Sequence, residues 1–280
     1  MTIGRVNEIL RSSFVDGPGH RAVIFLQGCS FNCLYCHNPY TINECIHCSI
    51  CVDACPADAL ENVNGKVIWN RDRCTECDTC ITVCPHFSSP KVRDMTPEDV
   101  WQEIEPAAAF ISGVSVSGGE PLLQIPFLIE LFNLIHARSD LTTLIETNGS
   151  VDNAEMCSML PYVDLVQVDL KCGDETLHEK LTGQPIDAVI QNIRSAYAAG
   201  KLFSVQQVIV DEFTASKELI AKTAKILASI DPSIRLRLVK FRAHGTTGAA
   251  AEWQSPTDAV MNALQTAAFS NGLENVVISL

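Results

Sequence analysis

Nowhere do the 280 residues offer the run of ~18 or more apolar residues that a bilayer-spanning helix needs. The opening MTIGRVNEILRSSF also lacks the apolar core of a secretory signal. A membrane-spanning helix is thereby excluded and a cytoplasmic location is expected. Positive charge is scarce as well: 20 Lys and Arg stand against 33 Asp and Glu, a formal net charge of -13. A general binder of nucleic acid or membrane surfaces needs the opposite sign. The third scarcity is local. The stretch GCSFNCLYCHNPY (Gly28–Tyr40) holds Cys29, Cys33 and Cys36, and no further cysteine follows until Cys45. A closed metal site takes four protein ligands, so this one stops a ligand short.

What the chain does have is size and cysteine. At 30.5 kDa it can bury the core of one large α/β domain, or of one domain with a small insert. With 47% hydrophobic and 19% charged residues it reads as an ordinary globular protein. Its 13 cysteines, in a reducing compartment, point to metal ligands more than to disulfides. Three sit in the opening motif, four at Cys45, Cys48, Cys51 and Cys55, and four at Cys74, Cys77, Cys80 and Cys84. Cys157 and Cys172 stand alone and read as small buried apolar residues.

Residues 45–85 form a compositional island in which C-x2-C-x2-C-x3-C-P occurs twice. This is the spacing of two-cluster bacterial ferredoxins. Zinc can also use C-x2-C pairs, but it needs neither a third cysteine at the same interval nor a trailing proline. The island is too short to bury a useful core, so bound clusters are expected to hold it together. Spacing alone allows crossed or uncrossed cysteine sets. Resemblance to the ferredoxins implies the crossed ones: Cys45, Cys48, Cys51 and Cys84 for one 4Fe-4S cluster, and Cys55, Cys74, Cys77 and Cys80 for the other.

Outside the island, strands and helices alternate. RAVIFLQ, GVSVS, LTTLIE, VDLVQVDL, FSVQQVIV and IRLRLVKF read as strands, with a short NVVIS at the end. Between them lie helical stretches, the first begun by Thr96 as cap with Pro97 behind it. Six such repeats suggest parallel strands covered by helices in an incomplete (β/α)6 barrel, although a flat doubly wound sheet fits the same pattern.

In such folds functional residues collect where strands end. The first strand leads into Cys29, Cys33 and Cys36; the next three end in SGGEP (Ser117–Pro121), ETNG (Glu146–Gly149) and DLK (Asp169–Lys171). Each tripeptide alone is weak; their order at one rim is the signal. Three thiolates can hold a 4Fe-4S cube and leave one iron open. C-x3-C-x2-C with Tyr35 before the last cysteine resembles the radical S-adenosylmethionine (radical SAM) enzymes. DGPGHRAVIFLQGCSFNCLYCHNP, followed by SGGEPLLQ, ETNG and DLK, resembles the glycyl radical enzyme activating enzymes across essentially the whole chain outside the insert. Of these, the YjjW-type activases, which carry a two-cluster insert after the first loop, are the specific choice.

The resemblance implies a radical-SAM barrel in two parts, residues 1–40 and 91–280, interrupted by a ferredoxin-like 2[4Fe-4S] insert at 41–90. It implies three 4Fe-4S clusters and S-adenosylmethionine as cofactors, with Cys29, Cys33 and Cys36 on the catalytic cluster. Tyr35, Cys36 and His37 would lie against the cofactor. Gly118 and Gly119 would let backbone approach its ammonium, with Glu120 in the same motif, and Asp169 and Lys171 would sit near its carboxylate. Glu146, Thr147 and Asp169 match a monovalent-cation site of some relatives, and His244 stands where relatives approach the adenine. Asp16, Gly17, Pro18 and Gly19 would meet the substrate loop of a partner glycyl radical enzyme. A flavodoxin or ferredoxin would supply electrons, a monomer suffices, and neither nucleic acid nor membrane is involved. The alternatives are a radical SAM enzyme acting on a small molecule or other peptide, and a ferredoxin-type electron carrier. After the fifth strand VIVDEF replaces the I-P-G or V-P-G of relatives, so nothing is carried over there; Arg235 and Arg237, on one face of the sixth strand, read equally as site residues or as a solvated or packed pair.

Overall fold

Strands form where apolar β-branched residues alternate with small or polar ones. In GVSVSG the side chains of Val114 and Val116 join the main hydrophobic core, while Ser115 between them turns to the opposite face. The same alternation repeats along the sheet, with Val166 and Val168 flanking Gln167, and Leu236 and Leu238 flanking Arg237. The result is a sheet with one apolar face and one polar face.

The computed structural model describes residues 2–211 and 213–279; Glu212, within the VIVDEF loop, lies outside them. Its strands are β1 (Gly4–Ser13), β2 (Arg21–Leu26), β3 (Leu60–Val63), β4 (Lys66–Trp69), β5 (Arg93–Met95), β6 (Gly113–Gly118), β7 (Thr142–Thr147), β8 (Leu165–Asp169), β9 (Leu202–Ile209), β10 (Leu236–Lys240) and β11 (Val276–Ser279). The large sheet runs β11-β10-β9-β8-β7-β6-β2-β1-β5. Strands β2 and β6 to β11 are parallel, while β1 pairs antiparallel with both β2 and β5. Among the parallel strands, β2 and β6 to β11, the order never reverses. With right-handed crossovers, sequential order places every connecting helix on one face, which is the barrel arrangement and not the doubly wound one. The sheet stays open between β11 and β5, an incomplete barrel as expected.

The helices are α1 (Ile50–Asp53), α2 (Thr79–Thr82), α3 (Pro97–Ile104), α4 (Ile125–Arg138), α5 (Asn153–Met159), α6 (Glu175–Thr182), α7 (Asp187–Ala198), α8 (Lys217–Ala228) and α9 (Asp258–Ser270). Thr96 caps α3 through a reciprocal capping box with Asp99. In α4, Phe127, Leu128, Leu131, Phe132 and Ile135 fall at helical spacing and are fully buried on the sheet. Each such side chain contributes roughly 1.5–3 kcal/mol by leaving water.

Residues 41–90 leave this frame. They contain the β3–β4 hairpin, turned by Asn64 and Gly65 at positive φ, and the single-turn helices α1 and α2. The sequence repeat is a backbone repeat too. Left-handed residues recur at matching places in the two copies: His47 and Glu76, Ser49 and Asp78, Asp58 and Phe87. Its buried cluster is small, formed by Cys51, Leu60, Val67 and Cys80. Arg71 of this segment binds Glu103 of α3, which Arg93 of β5 also binds, and so fastens the segment to the barrel.

Besides the β3–β4 hairpin, two strands of the large sheet, β1 and β5, were not expected from the sequence. Both lie at an antiparallel edge, and β1 is bulged at Val6/Glu8 and Leu10/Ser13, which breaks its alternation.

Candidate functional site

The C-terminal ends of β2, β6, β7 and β8 converge on a cavity of about 160 Å³. Its walls include Cys29, Cys33, Tyr35, Cys36 and His37 from the loop after β2, Ser117 to Gly119 from β6, Glu146 to Asn148 from β7, and Asp169 and Lys171 from β8. No fourth cysteine lines it among the described residues. The other cysteines gather elsewhere. Cys45, Cys48, Cys51 and Cys84 surround one hollow, and Cys55, Cys74, Cys77 and Cys80 surround a second. Cys172 is buried beside the Tyr35 cluster and Cys157 is exposed.

The loop carrying Cys29, Cys33 and Cys36 is held on several sides. Its backbone N–H groups at Gly28 and Cys29 donate to the carbonyls of Thr41 and Ile42, and those at Asn32 and Leu34 donate to Thr182 and Leu181 at the end of α6. Phe31 packs edge-on against buried His178. Burial pushes the thiols of Cys29 and Cys33 up to about 12, so bare thiols here stay protonated.

Gly118 and Gly119 are required by the chain's own backbone. A Cβ on Gly119 would stand 2.0 Å from the carbonyl oxygen of Gly28, and one on Gly118 would stand 2.3 Å from the nitrogen of Leu26. The end of β6 therefore crosses the start of the cysteine loop without side chains between them. Glu120 does not line the cavity. It is wholly buried, receiving the Thr147 hydroxyl at 2.7 Å, the Asn148 N–H at 2.7 Å and the Leu122 N–H at 3.0 Å. Burial raises its pKa to about 7 against the pull of these three bonds.

On the cavity floor Lys171 donates to Asp169 at 2.7 Å. Burial opposes the lysine's charge, yet Asp169 and Cys33 outweigh it and its pKa rises. Glu146 is pushed up to about 8, first by burial and then by Asp16 and Asp169. Asp16 lies over the polar face of the sheet, and its carboxylate accepts from the Ser13 hydroxyl. The loop carrying it is pinned there: Ser115 donates to the Asp16 carbonyl at 2.6 Å, and Gly17 packs on Leu144 and Arg21 with φ +108. Arg21 is itself buried and donates to Ser115, Val114, Thr142 and Pro18.

His37 donates from Nε2 to the Arg242 carbonyl at 2.8 Å and packs against Phe241. His244 is exposed and is not among the cavity's walls. Arg237 is a packed residue: it donates to Gln167 at 2.7 Å, and Gln167 also contacts Glu146, Ser204 and Gln206. Asn148, Gln167 and Gln206 were not singled out from the sequence. Only their parity on the inner face could have marked them.

The Radical SAM superfamily pattern matches residues 23–223, well over half of the chain. The chain belongs to the radical SAM superfamily. Among curated radical SAM relatives it is 33% identical to the benzylsuccinate synthase activating enzyme of Thauera aromatica, over 88% of this chain and 80% of that one. It is 29% identical to the indoleacetate decarboxylase activating enzyme of Tractidigestivibacter scatoligenes, over 94% and 93%. The solved structure of QueE from Escherichia coli shares the fold, with TM-score 0.56 and 15% identity over 99% of this chain and 94% of that one. Radical SAM membership implies a 4Fe-4S cluster and S-adenosylmethionine, and the cavity has the donor set for them: three cysteines, a lysine–aspartate pair and an exposed glycine backbone. Among the described residues, no helix is long and apolar enough to cross a membrane.

Proposed function

We propose that this chain is an activating enzyme that installs a radical on a glycine of a partner glycyl radical enzyme. The observation that carries the reading is the three-cysteine wall facing Gly118–Gly119 and Asp169–Lys171 across one cavity, in a chain that is 33% identical to an activating enzyme. When bound, the cluster and S-adenosylmethionine supply one-electron cleavage of a sulfonium bond and a carbon radical able to take hydrogen from a glycine Cα.

The residues divide the remaining work. Cys29, Cys33 and Cys36 would hold three irons and leave one corner to the cofactor. Lys171, kept charged by Asp169, would meet the cofactor carboxylate, and the bare backbone at Gly118 and Gly119 its ammonium. Tyr35 and His37 would wall the cofactor from solvent. Glu120 acts from behind, tying the rim of β6 to that of β7. Glu146, Thr147 and Asp169 would hold a monovalent cation when Glu146 is ionised. Asp16 to Gly19 would meet the partner's glycine loop, a role supported by the seat of this loop over Ser115 on the polar face of the sheet.

In this reading residues 41–90 are a ferredoxin-like insert between two parts of the barrel, 1–40 and 91–280, as in the YjjW-type activases. Two cysteine quartets around separate hollows support it, and their membership favours the crossed sets. Two further 4Fe-4S clusters there would pass electrons from a flavodoxin or ferredoxin to the first, in a cytoplasmic monomer. The test is anaerobic incubation of the reduced, reconstituted protein with S-adenosylmethionine and a candidate glycyl radical enzyme encoded beside it. A glycyl radical seen by electron paramagnetic resonance supports the assignment. Release of 5′-deoxyadenosine with no radical on any such partner would count against it.

A further inference from the structure

Asn148 stands immediately after the cavity-lining Thr147 at the end of β7, and its side chain reaches the cysteine loop. Its Nδ2 lies 3.7 Å from Cys29 Sγ and 3.2 Å from Ser30 Oγ. The orientation of the amide follows from its other end, where Oδ1 accepts the Ser150 N–H at 2.9 Å. A carbonyl oxygen must face that donor, so the NH₂ group faces the sulfur. The residue is 7% exposed, and its own N–H is fixed on Glu120 at 2.7 Å. Among the described residues no other side chain donates to Cys29, Cys33 or Cys36.

We infer that Asn148 is a positioning residue that sets the reduction potential of the cluster held by Cys29, through an N–H···S hydrogen bond. This rests on the reading of Cys29 as a cluster ligand. The physical reason is charge. Reduction adds an electron to the cluster and its thiolates, and a donor aimed at one sulfur stabilises the more negative state. Removing the donor makes the cluster harder to reduce. The same amide also holds Ser30, which itself meets Ser150 at 2.5 Å, so the loop-holding role must be separated from the electronic one.

Three variants separate them: Asn148→Ala, Asn148→Asp and Ser30→Ala. Asn148→Asp is nearly isosteric, keeps an acceptor for Ser150 and has no N–H to give, so it serves if the alanine variant does not load. Each is reconstituted whole and titrated electrochemically, following the paramagnetic signal that changes when S-adenosylmethionine is added. Both Asn148 variants are expected to shift that midpoint to more negative potential at unchanged iron content, with the aspartate shifting further. Ser30→Ala is expected to leave it in place. An unmoved midpoint in the loaded Asn148 variants, or an equal shift in Ser30→Ala, overturns the inference. A Cys29→Ala protein that retains the responsive signal would instead overturn the reading of the site on which it rests.

Discussion

The Asn148 N–H donates to Glu120 Oε2 at 2.7 Å, joining the rim of β6 to the rim of β7 behind the cavity wall. With the Thr147 hydroxyl and the Leu122 N–H on the same carboxyl group, one buried side chain fixes two backbone N–H groups and a hydroxyl. Replacing Glu120 by Ala leaves those donors without an acceptor. Each stranded buried donor costs roughly 1–3 kcal/mol, so Glu120→Ala is expected to lower the melting temperature and cluster occupancy together. Glu120→Gln keeps one acceptor and is expected to lose less. Thermal melts with parallel iron assays check the order.

Gly119 gives a sharper steric expectation. A methyl group there would meet the Gly28 oxygen at 2.0 Å, so Gly119→Ala must displace the start of the cysteine loop. Loss of the cluster that responds to S-adenosylmethionine is expected. Gly183→Ala is the control, because its Cβ meets nothing and only the left-handed backbone is strained, at about 1–2 kcal/mol. That variant is expected to load normally.

Arg21 is a buried guanidinium with no carboxylate on it; its donors all go to hydroxyl and carbonyl oxygens. Arg21→Lys cannot span that set with one ammonium. A loss of roughly 3 kcal/mol is expected for Arg21→Lys, and more for Arg21→Ala. Denaturant titration of the two variants against the parent protein measures it.

The raised pKa of Glu146 predicts a pH dependence. With a value of about 8, the group is neutral below that pH and charged above it. The monovalent cation proposed at Glu146 would bind the charged form, so its stimulation of S-adenosylmethionine binding is expected to grow as pH rises through 8 and to be flat in Glu146→Gln. Isothermal titration at several pH values, with potassium and without it, checks the sign.

The parallel strands were legible because each is a short apolar run followed by a helix of matching period. The rim motifs were legible because strand ends are where such folds expose side chains. Direction was not legible. Membership of SGGEP did not reveal that Glu120 points into the protein, nor that Gly119 is demanded by Gly28. Asn148 lay within the ETNG motif, but its partner was not legible, since Cys29 is distant in sequence and meets it only when β2 and β7 flank β6. His244, after the sixth strand, is exposed and stands outside the cavity walls.

The cysteine inventory also separates an activase from an electron carrier. Iron near twelve per chain, from three four-iron cubes, is expected, and Cys33→Ala should reduce it to about eight and abolish S-adenosylmethionine cleavage. About eight in the unmodified protein would leave the Cys29, Cys33 and Cys36 wall without a cluster.

The most direct measurement is electron–nuclear double resonance on the reduced protein with S-adenosylmethionine isotopically labelled at its amino nitrogen and carboxylate. Coupling of both labels to a 4Fe-4S cluster, lost in Cys33→Ala, is the expected result. A cluster that loads fully yet shows no coupling to either label would contradict the account.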